Sequence, residues 1–157
     1  MIVGNSEKTM AQIQIRTATP DDVGEISKLS GQFGYPGADD QFQDRLKLLL
    51  SSREHTVLVA GSDSGSLVGW IHLFIAQHLQ SSPFVEIGGL VVSEQHRRQG
   101  VGKRLLMAAE SWALEQGMSS LRVRSRRERG AAKAFYEGMG FVVTKEQRIF
   151  DKTLGNS

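Results

Sequence analysis

The chain has 157 residues, a formal net charge of +2 and no cysteine. Such a length buries a sizeable core in one domain without metal or disulfide staples. The missing thiol excludes a disulfide framework, a Cys-ligated zinc site and a cysteine nucleophile. No apolar run approaches the ~18–20 residues that a membrane span needs.

Residues 1–11 lack the apolar core of a signal peptide and read as a flexible leader to a single domain over 12–157. A cytoplasmic enzyme is the default expectation. Gln12 to Thr17 alternates as a first strand with Ile13 and Ile15 inward. Thr19-Pro20-Asp21-Asp22 then caps a helix through Gly31, with Pro20 near its first turn. A turn-rich loop follows to Asp40, and Phe42, Leu46, Leu49 and Leu50 mark a second helix. Thr56 to Ala60 and Leu67 to Ala76 read as strands joined by the hairpin connection Gly61-Ser62-Asp63-Ser64-Gly65. Val85 to Val92 is a buried strand in which Gly88 and Gly89 ease a bulge, or merely relieve crowding. The predicted class is α/β (α+β), with a mixed sheet flanked by helices.

Between that strand and the next helix lies Arg97-Arg98-Gln99-Gly100-Val101-Gly102. The helix carries Val101, Leu105, Leu106, Ala109, Trp112 and Ala113 on one face and ends at Gly117, a natural cap. Glycines at a helix entrance allow a tight turn and expose N–H groups at the positive end of the dipole. With Arg97, Arg98, Lys103 and Arg104 adjacent, this turn is a ready phosphate site. A P-loop needs Lys-Ser/Thr after its second glycine, but Lys103-Arg104 stands there. The dinucleotide fingerprint needs a third glycine where Leu105 stands.

What remains, Arg-x-x-Gly-x-Gly, resembles the acyl-CoA pyrophosphate loop of the GNAT superfamily of N-acetyltransferases. Downstream, Leu121 to Arg124 alternates as a strand, and Ala131-Ala132-Lys133-Ala134-Phe135-Tyr136-Glu137-Gly138-Met139-Gly140-Phe141 follows. That segment is similar to the superfamily's Ala-x-x-Phe-Tyr-x-x-x-Gly-Phe. The match in element order runs from Thr56 to Leu154. It implies a mostly antiparallel central sheet, acetyl-CoA as cosubstrate, an amine as acceptor and no metal.

Under this resemblance Leu90, Val91 and Val92 present backbone groups to the pantetheine arm, where a bulge exposes N–H groups to polarise the thioester. Arg97, Arg98, Gln99, Gly100, Val101, Gly102 and Lys103 hold the pyrophosphate. Ser125 and Arg129 sit beside the cofactor; many relatives carry asparagine in place of Arg129. That arginine then reaches a coenzyme phosphate or pairs with an acid such as Glu128. Tyr136 matches the tyrosine near the coenzyme sulfur, and a phenol of ordinary pKa ~10 can donate to a departing thiolate. Packing beside Phe135 is the alternative. Glu86 is the candidate base, its carboxyl expected to be desolvated by Phe84, Val85 and Ile87. An ordinary ion pair is its alternative role, and His72 or His78 stands nearby as a substitute base.

The acceptor site is expected to be walled by the Phe33-Gly34-Tyr35-Pro36 loop, the strand from Ile71 to Ile75 with His72, and the segment Gln147 to Phe150, with Glu86 at the amine; Tyr35, Trp70 and Phe150 either enclose the amine or belong to the core. Acids at Asp39, Asp40 and Asp44 suit a cationic amine or an ordinary helix start. A non-catalytic acyl-CoA-binding module is the alternative function. The basic run from Arg97 to Arg129 also raises nucleic-acid binding, against which stand absent interleaved aromatics and the alternation of Arg122 and Arg124 opposite Leu121 and Val123. A last strand, Val142 to Phe150, is expected to offer an edge for a homodimer.

Overall fold

The computed structural model describes residues 13–33, 40–127 and 129–155. These fall into two compact units that meet in sequence at Arg124/Ser125.

The first unit is built on five strands in the order β1-β2-β3-β4-β5. They are β1 (Gln14–Thr17), β2 (His55–Gly61), β3 (Leu67–His78), β4 (Ser81–Val92) and β5 (Leu121–Val123). The first four pair antiparallel, and β5 joins β4 in parallel. Helices α1 (Val23–Gly31) and α2 (Asp40–Ser51) precede β2, and α3 (Val101–Glu115) makes the crossover from β4 to β5.

Strand alternation gives the sheet two unlike faces. Val57, Val59, Trp70 and Val91 on one face pack with Ile26 and Leu29 of α1 and Leu46 of α2. Helix α3 buries Val101, Leu105, Leu106, Ala109 and Ala113, while Trp112 is half-buried. Val101, Leu105 and Leu106, fully buried, each contribute roughly 1.5–3 kcal/mol through removal from water. A Cβ at Gly69 would lie 2.9 Å from Val91 O and 3.1 Å from Leu105, so bare backbone is what lets α3 approach β3 and β4. The helix closes as expected: Gly117 takes φ 76°, donating to Leu114 O, while Met118 N donates to Ala113 O.

A short 3₁₀ turn, Pro20–Asp22, leads into α1. Asp22 accepts from Thr19 N at 2.8 Å and holds Arg16 through two bonds of 2.7 and 2.9 Å. The Arg16 hydrogen bond, opposed in part by burial, holds the Asp22 carboxyl below its ordinary value. The stabilisation is therefore present above the unfolded carboxylate pKa and fades as pH falls below about 4. Asp22→Asn is expected to cost about 1–3 kcal/mol in urea denaturation at pH 7. The difference from wild type should shrink when the titration is repeated at acid pH.

The second unit contains α4 (Gly130–Gly138). Its end explains the Phe-Tyr and Gly-Phe spacing. Gly140 adopts φ 92°, which turns the chain so that Phe141 N donates to Tyr136 O at 3.0 Å. Phe141 then meets the Tyr136 ring edge-on at 5.4 Å. The expected strand from Val142 to Phe150 is not formed; residues 141–154 have no regular secondary structure. Their β-branched residues favour extension, but a strand exists only where a neighbour completes its hydrogen-bond ladder. The dimer edge expected there is thus absent as a strand.

Candidate active site

The turn at the entrance of α3 combines three local features. Arg98 takes φ 64° and Gly100 φ 80°, two left-handed residues separated by one position. Turns of this kind aim successive N–H groups into a concavity that suits anions. Gly100 also caps α3 without any side-chain bond, and the first turn of that helix holds no acid. A helix entrance of this kind, with N–H groups at the positive end of the dipole, suits an anion. His96 Nδ1 and Gln99 Oε1 are buried and have no hydrogen-bond partner among the described residues.

The basic residues around the turn divide their work. Arg98 and Lys103 are exposed. Arg97 places its guanidinium 4.9 Å over the Phe33 ring, tying the turn to the end of α1. Arg104 instead donates to Ile13 O, so this expected phosphate neighbour clamps α3 to the start of β1.

Beside the turn, β4 parts from β5. Their pairing covers only Val85 to Ile87 against Leu121 to Val123. Beyond Ile87, β4 pairs among the described residues only with β3, so Leu90, Val91 and Val92 keep a backbone edge for a ligand. The register shifts between His72 and Leu73, which pair with Gly89 and Ile87, leaving Gly88 as the extra residue of a bulge. Both expectations for the glycines hold together. A Cβ at Gly88 would lie 2.3 Å from His72 Nδ1, and one at Gly89 2.9 Å from the Trp70 ring.

Glu86 lies on the sheet face that carries Phe74 and Phe84. It pairs directly with Phe74 on β3 and Arg122 on β5. Arg124 Nε donates to its Oε2 at 3.2 Å, and the Glu86 side chain is 13% exposed. The apolar cage expected from its sequence neighbours is corrected here: Val85 and Ile87 point to the opposite face, as alternation requires. Glu86 lines an open pocket of about 420 Å³ with Glu54, Phe74, Ile75, Ala76, Gln77, His78 and Arg124. Arg122 lies 4.0 Å over Phe84. Arg122 on β5 and Arg124 just beyond it are thus engaged on the Glu86 face, as the alternation indicated.

His72 is held to His55 by a 2.9 Å contact between its Nε2 and His55 Nδ1. Burial, reinforced by the neighbouring His55, lowers its pKa from 6.5 to about 4. His72 is therefore neutral at neutral pH. His55 was not expected; its role depends on β2–β3 register, which local sequence does not display.

Of the aromatics with two possible roles, Trp70 takes the core one. Trp70 is buried and donates its indole N–H to Ser30 Oγ at 3.1 Å, because α1 covers that end of the face. Phe33 packs against the same core. Tyr35 and Asp39 lie outside the described residues, as does Glu128. In the second unit Phe150 is 87% exposed. Ser125 is exposed there, Arg129 precedes α4, and half-buried Tyr136 contacts Phe135 at 5.2 Å.

Among the described residues no helix is long and apolar enough to cross a membrane. Comparison with known proteins agrees with this architecture. A model of the acetyltransferase (GNAT) family matches residues 23–141. An aminoglycoside N(6')-acetyltransferase type 1 of Stenotrophomonas maltophilia is 32% identical over 141 residues, covering 87% of this chain and 90% of the relative. A counterpart from Serratia marcescens is 26% identical over 123 residues, covering 76% of this chain and 84% of its own. In three dimensions, an aminoglycoside antibiotic 6'-N-acetyltransferase from Acinetobacter baumannii superposes with a TM-score of 0.82 at 19% identity, covering 91% of this chain and 99% of that one. Another, AAC(6')-Iy in complex with a bisubstrate analog, gives 0.81 at 22% identity, covering 90% and 99%. These likenesses extend over almost the whole of the solved chains, so the fold is shared rather than a fragment of it.

Proposed function

The chain belongs to the acetyltransferase (GNAT) family and is an acyltransferase, and on that premise we propose that it acetylates a primary amine of a cationic amino sugar. The observation that carries this reading is the parting of β4 from β5 beside a phosphate turn and a carboxylate-bearing pocket. Acetyl-CoA, when bound, supplies an acetyl group activated as a thioester.

The chain's own groups then divide the reaction. The turn at Arg98 and Gly100, with Gln99, Val101, Gly102 and Lys103, holds the pyrophosphate. The free edge of Leu90, Val91 and Val92 holds the pantetheine arm. Glu86 attracts the acceptor ammonium and takes its proton, with Arg124 fixing the carboxylate. The amine attacks the thioester directly, as no cysteine is present to form an acyl-enzyme. Tyr136 gives its phenolic proton to the departing thiolate. Ser125 and Arg129 complete the cofactor rim.

For the acceptor, two carboxylates on the pocket, Glu54 and Glu86, favour a substrate with more than one ammonium group. The names of the relatives point to aminoglycosides. The cosubstrate supports a cytoplasmic site of action. The test is release of free thiol from acetyl-CoA across amino sugars, linear polyamines and peptide N-termini. Amino sugars are expected to react fastest; a preference for peptides would reassign the acceptor class.

A further inference from the structure

We propose that His72 donates a hydrogen bond from Nδ1 to the thioester carbonyl oxygen at the β4 bulge, and that His55 is the positioning residue that fixes it for this task. This rests on the acetyl-transfer reading above. His72 stands opposite Gly89, and its Nδ1 covers the site a Gly88 side chain would fill. The bulge therefore carries an imidazole from the neighbouring strand in place of a side chain of its own. Its other nitrogen is engaged by His55, and Nδ1 has no partner among the described residues.

The two imidazoles share one hydrogen bond, and its direction sets which nitrogen of His72 carries the proton. When His55 Nδ1–H donates to His72 Nε2, His72 must carry its proton on Nδ1, directed over the bulge. Phe74 holds the pair from the side, with ring centres 5.3 Å from His55 and 5.5 Å from His72. Burial keeps His72 neutral, so it presents a donor without consuming a proton. Among the described residues no three metal-ligating side chains converge, so the pair has no third ligand with which to hold an ion. The role demanded is electrostatic: charge develops on the carbonyl oxygen as the amine attacks, and a preplaced N–H stabilises it. No bond to His72 forms or breaks.

The decisive variants separate donation from proton transfer. His72→Asn keeps an N–H near the Nδ1 position but cannot relay a proton. It is expected to retain kcat within about fivefold of wild type. His72→Leu should lose about a hundredfold in kcat, the range of one deleted oxyanion donor, with the acceptor KM little changed. His55→Phe, which preserves the ring stack, should give an intermediate loss in kcat. Nitrogen NMR of the unliganded wild-type protein at pH 7 should show His72 protonated on Nδ1, shifting toward Nε2 in His55→Phe. An Nε2-protonated His72 in wild type, or equal losses in His72→Asn and His72→Leu, overturns the assignment. A wild-type protein that acetylates no amine would overturn the proposed function instead, and the NMR signature would be unaffected.

Discussion

Gly100→Asp combined with Arg98→Glu is expected to weaken acetyl-CoA binding at least a hundredfold in isothermal titration. The two changes place negative charge where the phosphate turn presents positive charge and N–H groups. Each charge-assisted hydrogen bond lost costs about 1.5–3 kcal/mol, and two correspond to roughly a hundredfold or more in affinity. Asp tolerates the left-handed region better than most residues, so the loss at Gly100, with φ 80°, is chiefly electrostatic. Arg98→Gly serves as the control. Arg98 itself sits at φ 64°, a conformation costing a side-chain-bearing residue about 1–2 kcal/mol. Glycine there is expected to raise stability against urea while lowering cofactor affinity. Such opposite signs are what a strained ligand-binding residue should give. Unchanged acetyl-CoA affinity in the double variant would remove the turn from the cofactor site.

Tyr136→Phe is expected to lower turnover about a hundredfold, the lower range for loss of a positioned general acid. Acetyl-CoA affinity should stay close to wild type, because the phenyl ring keeps its edge contacts with Phe135 and Phe141. The variant should also release a better thiolate leaving group with a smaller penalty, since a weaker base needs less protonation. Thioesters of graded thiol acidity measure this directly. Wild-type turnover, or an equal deficit across the thioester series, would leave Tyr136 with a packing role only.

Much of the fold was legible because its signals are local. The buried face of α3, its cap at Gly117 and the bulge at Gly88 each follow from spacing or a glycine that the backbone demands. The turn at the entrance of α3 was legible for the same reason, as loop, charge and helix entrance are contiguous. Features that depend on register were not. Glu86 was expected in an apolar cage, yet its surroundings come from Phe74 and Arg124, which the sheet delivers from other strands. His55 reaches His72 across 17 residues of sequence, a meeting set by the β2–β3 ladder. Sequence left Trp70 between acceptor wall and core, and α1 decides for the core by bringing Ser30 to its indole. Val142 to Phe150 has strand composition without a ladder to complete it. Periodicity reports which side of an element is apolar; it does not report which neighbour will lie against it.

The two proposed hydrogen-bond donors are assigned different atoms of the thioester. His72 is assigned to the carbonyl oxygen and Tyr136 to the sulfur. Their effects should therefore respond to different chemical probes: acyl electronics for His72, thiol acidity for Tyr136.

The acyl-transfer reading is tested most directly by the product formed from acetyl-CoA and an amino sugar bearing a primary 6'-amine. NMR should place one new acetyl group on the 6'-nitrogen, with one free coenzyme A thiol released per product. Intact acetyl-CoA, or thiol release with the amino sugar unchanged, would contradict it.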